Sequence, residues 1–207
     1  RGSTTHGFQS HLGVNAIEKA WRITEALKEF NYYIGINSRD DLTENSFYQS
    51  GRPVRAANLY LSACRGGGWL YQVPPSCEMD WVYTFPNNES LDENIQRIED
   101  TIHAAAEADP WLRENPPEIE WLPMKFSPSR SEPEHPFIKT IQGSIESVTD
   151  RKTHLGATPV GSDMRVPSLY GDMATANIGP SGGGAHGPDE WVDVESYIIA
   201  IKMFSVL

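Results

Sequence analysis

The sequence predicts an α/β protein with a first part of alternating helices and strands and a second part of helices joined by glycine-rich loops. Three observations indicate this class: two amphipathic helix patterns with capping residues, two β-rich segments between them, and a change in composition after residue 127. The chain has 207 residues, of which 39% are hydrophobic, so it can bury a substantial core.

Both helices of the first part are predicted from their first turns. Asn15 is placed as an N-cap with Glu18 three residues later, and Ser90 and Glu93 repeat the same capping-box pattern. The first helix is predicted over residues 16–30 and the second from Leu91 to the turn before Pro110. The apolar residues of each face are Ile17, Trp21, Leu27 and Phe30 in the first helix, and Leu91, Ile95, Ile98 and Ile102 in the second.

Strands are predicted over residues 57–67 and 75–85 from their composition, and over 117–126 as the last strand of the series. In the second segment, larger residues alternate with smaller or more polar ones, at Cys77, Met79, Trp81, Tyr83 and Phe85. Residues 32–56 are polar and rich in turn-forming residues, which predicts a long surface connection. With an opening β-segment, the elements follow the order β-α-β-β-α-β. This order predicts a ferredoxin-like split motif over residues 1–127.

The second part, residues 128–207, begins after a Pro- and Ser-rich segment. Helices are predicted over residues 136–149 and from Val194 onwards, and the rest is glycine-rich loop. So small and loop-rich a segment buries too little surface to fold as an independent domain. We therefore expect it to be one part of a larger α/β domain.

The net charge and the cysteine content limit the classes of partner and the compartment that we expect. The net charge is −11 and the basic residues are scattered, which argues against nucleic acid and favours small solutes or proteins. Cys64 and Cys77 are the only cysteines, so a disulfide framework is excluded and a reducing, cytoplasmic compartment is expected. No segment approaches the roughly 20 apolar residues of a membrane span, and no membrane partner is expected.

The first candidate site is "GPSGGGAHGPDEW", residues 179–191. The glycines allow a close backbone approach, and His186 is predicted at a loop-to-helix junction before Pro188. A neutral imidazole there could bind zinc, with Asp189 or Glu190 as hydrogen-bond acceptors or as charges at the helix N-terminus. The alternative is a histidine in a turn with the acids as caps only. Residue types alone favour the turn.

The second candidate is the histidine pair His6 and His11 in "GSTTHGFQSHLGVN". A spacing of five residues does not bring two imidazoles to one ion as an i, i+4 helical pair does, so a local metal site is not predicted. Each histidine could still donate a hydrogen bond to an anion or a carbonyl. An exposed polar loop without function is the alternative.

The third candidate is "GATPVGSDMR". Gly161 and Ser162 could present backbone N–H groups, and Arg165 a bidentate guanidinium, to a carboxylate. A purely structural pair between Asp163 and Arg165 explains the same residues equally well. Both interpretations stay open at this point.

Five segments in order resemble the C-terminal part of the zinc-dependent metallopeptidase family that includes acetylornithine deacetylase, succinyl-diaminopimelate desuccinylase, aminoacylase and carboxypeptidase G. They are "GSTTHGFQSHLGVNAIEKA", "VPPSCEMDW", "DPWLRENPPEIEW", "GSDMR" and "AHGPDEW". The resemblance implies that residues 1–127 form an α+β lid that carries dimerisation. It implies that residues 128–207 form the C-terminal part of a zinc-peptidase-like catalytic domain whose N-terminal part is absent.

The resemblance also implies roles for single residues. His186 matches a zinc ligand, and His6 matches a lid histidine that reaches the partner subunit's active site as an oxyanion donor. Gly161, Ser162 and Arg165 fall where the family lines its substrate pocket. The implied cofactor is a pair of zinc ions, with cobalt or manganese as alternatives.

The implied activity is hydrolysis of the amide bond of an N-acyl amino acid or a small peptide by metal-activated water, in a homodimer. The family's H-x-D motif and Glu-Glu pair occur nowhere in the 207 residues, so we expect a fragment that is inactive alone. Tyr71 and Thr84 replace the asparagine and arginine of many members, and Trp69 suggests a subgroup with unassigned substrates. The alternative function is a catalytically empty dimerisation or ligand-binding module.

Overall fold

The computed structural model describes residues 1–44, 54–157 and 160–207. The chain divides into two compact units, the first made of Arg1–Arg39 with Arg55–Phe126 and the second of Asp40–Val54 with Ser127–Leu207. The division at residues 127 and 128 stays a prediction, since the contacts group Asp40–Val54 with the later residues. The predicted connection over residues 32–56 lies partly outside the described residues, at 45–53.

The first long helix, α1, spans Ala16–Asn37, and the Oδ1 atom of Asn15 accepts a hydrogen bond from the Ile17 amide at 3.0 Å, as predicted. Its predicted end at residue 30 is wrong. The helix continues because Ile34, seven residues after Leu27, lies on the same face and is fully buried. Trp21 was assigned to the apolar face but is 65% exposed. The buried residues of α1 are instead Ala16, Ala20, Ile23, Leu27 and Ile34.

Two of the predicted strands form an antiparallel pair. Strand β1, Asn58–Gly66, pairs with β2, Cys77–Thr84, with a register irregularity between Leu61 and Ala63. The Leu59 amide is not used in this pair: it donates to the Oδ1 atom of Asn31 on α1, at 2.8 Å. The side chains of β2 that pack against the core are Met79, Trp81 and Tyr83.

The second predicted N-cap also forms. Helix α3, Leu91–Glu107, begins at Ser90, whose Oγ accepts a hydrogen bond from the Glu93 amide at 3.5 Å. It packs against α1 and closes the core of the first unit. The buried residues of this core are Ile23, Leu27, Ile34, Ala57, Leu59, Ile98, Ile102, Ala106 and Leu112.

A short helix, α4, Pro110–Glu114, follows α3 and is tied to α1. Asp109 caps it by accepting hydrogen bonds from the amides of Trp111 and Leu112 at 2.9 and 3.1 Å. The Lys19 ammonium on α1 donates to the same carboxylate at 2.7 Å. This hydrogen bond holds the pKa of Asp109 below its usual range, against the opposing effect of burial.

Residues 117–126 were predicted as a strand, and this prediction is wrong: none of the described residues pairs with them in a ladder. Prolines at 116, 117 and 123 lack the amide donors that a paired strand needs. The opening segment makes only isolated bridges, Ser3 with Val14 and His6 with Gln72. The mixed α/β class stands, and the ferredoxin-like arrangement stays a proposal.

In the second unit, α5 spans Pro136–Thr149 and α7 spans Val194–Val206, which confirms both predicted helices. These two helices pack together. Between them lie α6, Arg165–Tyr170, and a small antiparallel pair of β3, Gly182–Gly183, with β4, Trp191–Val192. The buried residues of α5 and α7 are Ile138, Ile141, Ser144, Ala200 and Met203.

A buried carboxylate fixes the start of the second unit. Asp40 accepts hydrogen bonds from the amide and hydroxyl of Thr43, at 2.8 and 2.6 Å, in the short helix α2, Asp41–Glu44. The Arg130 guanidinium lies 3.3 Å from Asp40 and 3.0 Å from Asp41. Because Arg130 donates to Asp41, the pKa of Asp41 is lowered. Among the residues that the structure describes, no helix has the length and apolar character needed to cross a bilayer.

Candidate functional site

His6 lies in the first unit and caps a 3₁₀-helix, Gly7–Leu12. Its Nδ1 atom accepts a hydrogen bond from the Phe8 amide at 3.3 Å, and its ring stacks on Phe8 with the ring centroids 5.4 Å apart. Because Nδ1 acts as the acceptor, the proton of the neutral ring is on Nε2. The exposed imidazole can therefore donate a hydrogen bond outwards.

Backbone hydrogen bonds attach the His6 segment to the connection between β1 and β2. The Gly7 amide donates to the Tyr71 carbonyl at 2.7 Å, and the Val73 amide donates to the Thr5 carbonyl at 2.9 Å. The Thr4 hydroxyl adds a hydrogen bond to the Val73 carbonyl at 3.0 Å. The orientation of His6 thus depends on residues 71–73.

His11, the other histidine of this pair, is the fifth residue of the same 3₁₀-helix and is exposed. Within the described chain it has no hydrogen-bond partner and stands in no cluster of potential metal ligands. The structure therefore gives His6 a defined ring environment that His11 lacks.

His186 lies in the second unit, in the turn of the β3–β4 hairpin. Its φ angle is 62°, in the left-handed region, and the turn is closed by the Gly187 amide donating to the Gly184 carbonyl at 2.7 Å. The imidazole is exposed and has no hydrogen-bond partner among the described residues. The prediction of a loop-to-helix junction is wrong, since a hairpin holds the histidine and strand β4 follows it.

The glycines before His186 serve the hairpin itself. A Cβ atom on Gly182 would lie 2.6 Å from the Trp191 carbonyl oxygen, closer than real Cβ contacts. The close approach predicted for this segment is therefore an approach of one strand to the other. Asp189 and Glu190 are exposed in the turn, and neither caps α7. That role belongs to Asp193, whose carboxylate accepts a hydrogen bond from the Ser196 amide at 2.7 Å.

The side chain of Arg165, the first residue of α6, contacts the loop that precedes this helix. One guanidinium nitrogen donates to the Ser162 carbonyl at 2.8 Å and lies 3.3 Å from the Asp163 carboxylate. The Asp163 side chain is fully exposed, so this pair is a surface contact and not a buried one. The Ser162 hydroxyl accepts a hydrogen bond from the Met164 amide at 3.4 Å, and Gly161 is exposed.

The described residues provide an incomplete set of metal ligands. A catalytic zinc takes three protein ligands, and an exposed, unengaged imidazole such as that of His186 suits one of them. In the described ranges, however, no three His, Cys, Asp or Glu side chains lie together so that they could hold an ion. The residues described do not by themselves fit a complete zinc site.

Sequence reasoning missed one contact between reactive groups. The Sγ atoms of Cys64 and Cys77 lie 3.7 Å apart on neighbouring strands, and both thiols are free. The sequence carried a signal for this contact, because each predicted strand holds one cysteine close to the glycine-containing connection that joins the two strands.

The profile described as Peptidase family M20/M25/M40 matches residues 10–207. The chain belongs to this family. Members of the M20 family are hydrolases acting on amide or peptide bonds, and the family resemblance seen in the sequence is confirmed. Metal-dependent hydrolysis is supported for the family as a whole.

Two curated relatives are each named N-formyl-4-amino-5-aminomethyl-2-methylpyrimidine deformylase. The one from Halalkalibacterium halodurans is 25% identical over 121 residues, covering 58% of this chain and 26% of the relative. The one from Bacillus subtilis is 24% identical over 156 residues, covering 72% of this chain and 34% of the relative. The chain therefore spans between a quarter and about a third of the length of these M20 relatives.

Two solved structures show the same M20 fold at low sequence identity. A tripeptidase from Staphylococcus aureus has a TM-score of 0.67 at 14% identity, covering 99% of this chain and 48% of its own. An M20 family metallo-carboxypeptidase from Sulfolobus solfataricus has a TM-score of 0.62 at 14% identity, with coverages of 98% and 54%. These likenesses confirm the α/β class.

Proposed function

We propose that this chain belongs to a metal-dependent amidohydrolase that cleaves the amide bond of an N-acyl amino acid, an N-formyl amine or a small peptide. The observation that carries the proposal is the M20 family match over residues 10–207. The curated relatives are named as deformylases and one structural relative as a tripeptidase. Formyl amides and short peptides are therefore the first substrate classes to test.

His6 is proposed as the donor to the oxyanion that forms when the scissile carbonyl is attacked. The Phe8 amide engages Nδ1, so that Nε2–H points away from the backbone and is exposed. A fixed N–H donor aimed at the developing negative charge is worth about 10²–10³ in kcat. In this proposal His6 acts in the active site of a partner subunit, in a homodimer formed through the lid.

Arg165, Ser162 and Gly161 are proposed to line the pocket for a substrate carboxylate. Their support is local geometry: the Arg165 guanidinium is held at the surface of the loop by the Ser162 carbonyl, 2.8 Å away. Arginine presents its donors in a planar fork that matches a carboxylate. An N-acyl amino acid or a peptide carries such a carboxylate.

His186 is proposed as one ligand of a divalent metal, zinc first, with cobalt or manganese as alternatives. The support is its exposed imidazole, which has no hydrogen-bond partner among the described residues. Amide hydrolysis in such a site uses a metal-activated water. The described residues supply one ligand of the three that a catalytic zinc requires.

The catalytic test uses the complete gene product with zinc, cobalt or manganese and three substrates: an N-formyl aminomethylpyrimidine, an N-acetyl amino acid and a tripeptide. We expect hydrolysis of at least one of them. His6→Gln should lower kcat by about 10²–10³ with little change in KM, whereas the matched variant His11→Gln should leave kcat unchanged. Binding of these substrates without hydrolysis would refute the proposal and favour the ligand-binding module.

A separate measurement addresses the 207-residue chain alone, which we propose to be inactive. In the complete gene product, by contrast, calorimetric titration should show zinc binding that is weakened at least tenfold by His186→Ala and unchanged by His11→Ala. Turnover by this chain comparable to that of the complete gene product would contradict its inactivity. Equal zinc affinity in wild type and His186→Ala would remove His186 from the metal site.

A further inference from the structure

The two cysteines of the chain are diagonal neighbours on one face of the β1–β2 pair. Cys64 lies opposite Met79 and Cys77 lies opposite Gly66, so the cysteines are offset by one cross-strand pair on the same face. Their Sγ atoms are 3.7 Å apart, in van der Waals contact. Packing of the hydrophobic core does not explain this contact, because Cys64 is exposed.

The cross-strand partner of Cys77 is a glycine, Gly66, which leaves room for the Cys77 sulfur. A Cβ atom on Gly66 would lie 3.1 Å from the Cys77 Sγ, so the Cys77 sulfur extends over the position that a side chain would fill. Gly67, at φ 98°, and Gly68 follow directly, and a Cβ on either would meet nothing within 4 Å. The connection that leaves the strand at Gly67 and Gly68 therefore has open space around it, whereas Gly66 lies close to Ile17.

Little movement is needed to bond the sulfurs. A disulfide brings them to about 2.05 Å, with Cα atoms about 4.4–6.8 Å apart, and diagonal neighbours on a sheet lie just beyond that range. Gly66 and the two glycines after it lie beside the cysteines and are the residues whose backbone adapts at least cost. The required shift is thus within reach of a local adjustment.

We propose that Cys64 and Cys77 form a reversible intramolecular disulfide when the protein meets a disulfide oxidant such as oxidised glutathione. The exposed Cys64 thiolate attacks the oxidant, forming a mixed disulfide and releasing one glutathione thiolate. The Cys77 sulfur then attacks the Cys64 sulfur and releases the second glutathione. The two protein thiols give up two protons and two electrons, and the electrons reduce one oxidised glutathione to two molecules of the thiol.

The environments of the two sulfurs give this order of events. Cys64 is exposed, whereas Cys77 is half-buried, and burial together with the hydrogen bond to Cys64 raises the pKa of Cys77 to about 11. Cys77 thus keeps its proton at neutral pH and can donate it towards the Cys64 sulfur. Cys64 is then the sulfur that reaches the oxidant first.

The disulfide would close the segment that holds His6. Residues 65–76 join the two cysteines, and this segment accepts the Gly7 amide at the Tyr71 carbonyl, 2.7 Å away, and bridges His6 at Gln72. Cross-linking the base of a segment restricts the conformations that it samples. Oxidation should therefore make the backbone around His6 more rigid, and this consequence does not depend on the proposed hydrolase activity.

The first test is incubation of the full chain with oxidised glutathione at neutral pH, followed by intact mass and peptide mapping. We expect a monomer that has lost two hydrogens, with the Cys64 and Cys77 peptides cross-linked, and recovery of both thiols with a reductant. Cys77→Ser should retain one glutathione on Cys64 as a stable adduct, whereas Cys64→Ser should take up glutathione much more slowly, because only the half-buried Cys77 remains. Wild-type protein that accumulates glutathione adducts or intermolecular dimers instead would overturn the proposal.

The second test is amide hydrogen exchange of the oxidised and reduced chains. We expect the Gly7 amide to exchange at least several-fold more slowly after oxidation, because its acceptor Tyr71 lies within the closed segment. The Gly13 amide is the control, since it donates to Ser10 at 3.1 Å and has no bond to that segment. Equal exchange at Gly7 in the two forms would overturn the link between the disulfide and His6.

Discussion

Ile34 provides the sharpest test of how the first unit is held together. It has 0% exposure and belongs to the core cluster, although it lies beyond the predicted end of α1. Truncation to alanine removes buried carbon atoms and leaves a cavity that a packed core fills only in part. We therefore expect Ile34→Ala to lower the free energy of unfolding by about 3–4 kcal/mol, within the usual range for such a change.

Ile36→Ala is the matched control, because Ile36 lies on the same helix and is 48% exposed. Its removal should change the free energy of unfolding by less than about 0.5 kcal/mol. Urea denaturation followed by circular dichroism measures both. With an m-value of about 2 kcal/mol/M, the midpoint for Ile34→Ala should fall by about 1.5–2 M. Equal midpoints for the two variants would refute the continued helix, since Ile34 would then behave as a residue of a surface connection.

Two further predictions concern a charge and a close approach. Asp109 has a lowered pKa because Lys19 donates to it, so the ion pair stabilises the fold above the ordinary pKa of about 3.9 and is lost as pH falls through the lower folded value. The stability advantage of wild type over Asp109→Asn, about 1–2 kcal/mol at neutral pH, should therefore shrink in denaturation series as the pH falls below the ordinary pKa of about 3.9, and a constant difference would contradict this cause. Gly182→Ala should displace the β3–β4 hairpin and shift the NMR signals of His186, because its Cβ would lie 2.6 Å from the Trp191 carbonyl oxygen. Gly179→Ala, with open space around its Cβ, should leave those signals in place, and equal shifts in the two variants would argue against the close packing.

The parts of the fold that sequence predicted are those with strong local signals. Asn15 and Ser90 are typical N-cap residues, and the side chain of each accepts a hydrogen bond from an amide in the first turn of its helix. The end of α1 carried no such signal. Tyr32, Tyr33 and Gly35 weaken the helical pattern, and the helix continues there because the sheet and α3 bury Ile34. Packing across the unit decided what the local sequence could not.

The candidate site shows the same division. The family could be recognised from the order of the motifs, whereas the roles of the single residues stay proposals. The placement of His186 could not, because β3 consists of Gly182–Gly183, and glycine has low strand propensity. The hairpin forms because Gly182–Gly183 pairs with Trp191–Val192, and neither segment indicates this pairing by itself. For Arg165, the sequence could not decide between a substrate carboxylate and a structural pair with Asp163, because both interpretations use the same residues.

The hydrogen bond from the Leu59 amide to Asn31 bears on self-association. An unpaired strand edge presents its amides to any other chain that can add a strand, and proteins protect such edges to avoid aggregation. Here a helix side chain already occupies the Leu59 donor, at 2.8 Å. Another strand that approached this edge at Leu59 would have to displace Asn31 and leave its amide oxygen to find water. The part of α1 that follows residue 30 therefore has two effects. It buries Ile34, and through Asn31 it protects the beginning of β1 from pairing with another chain.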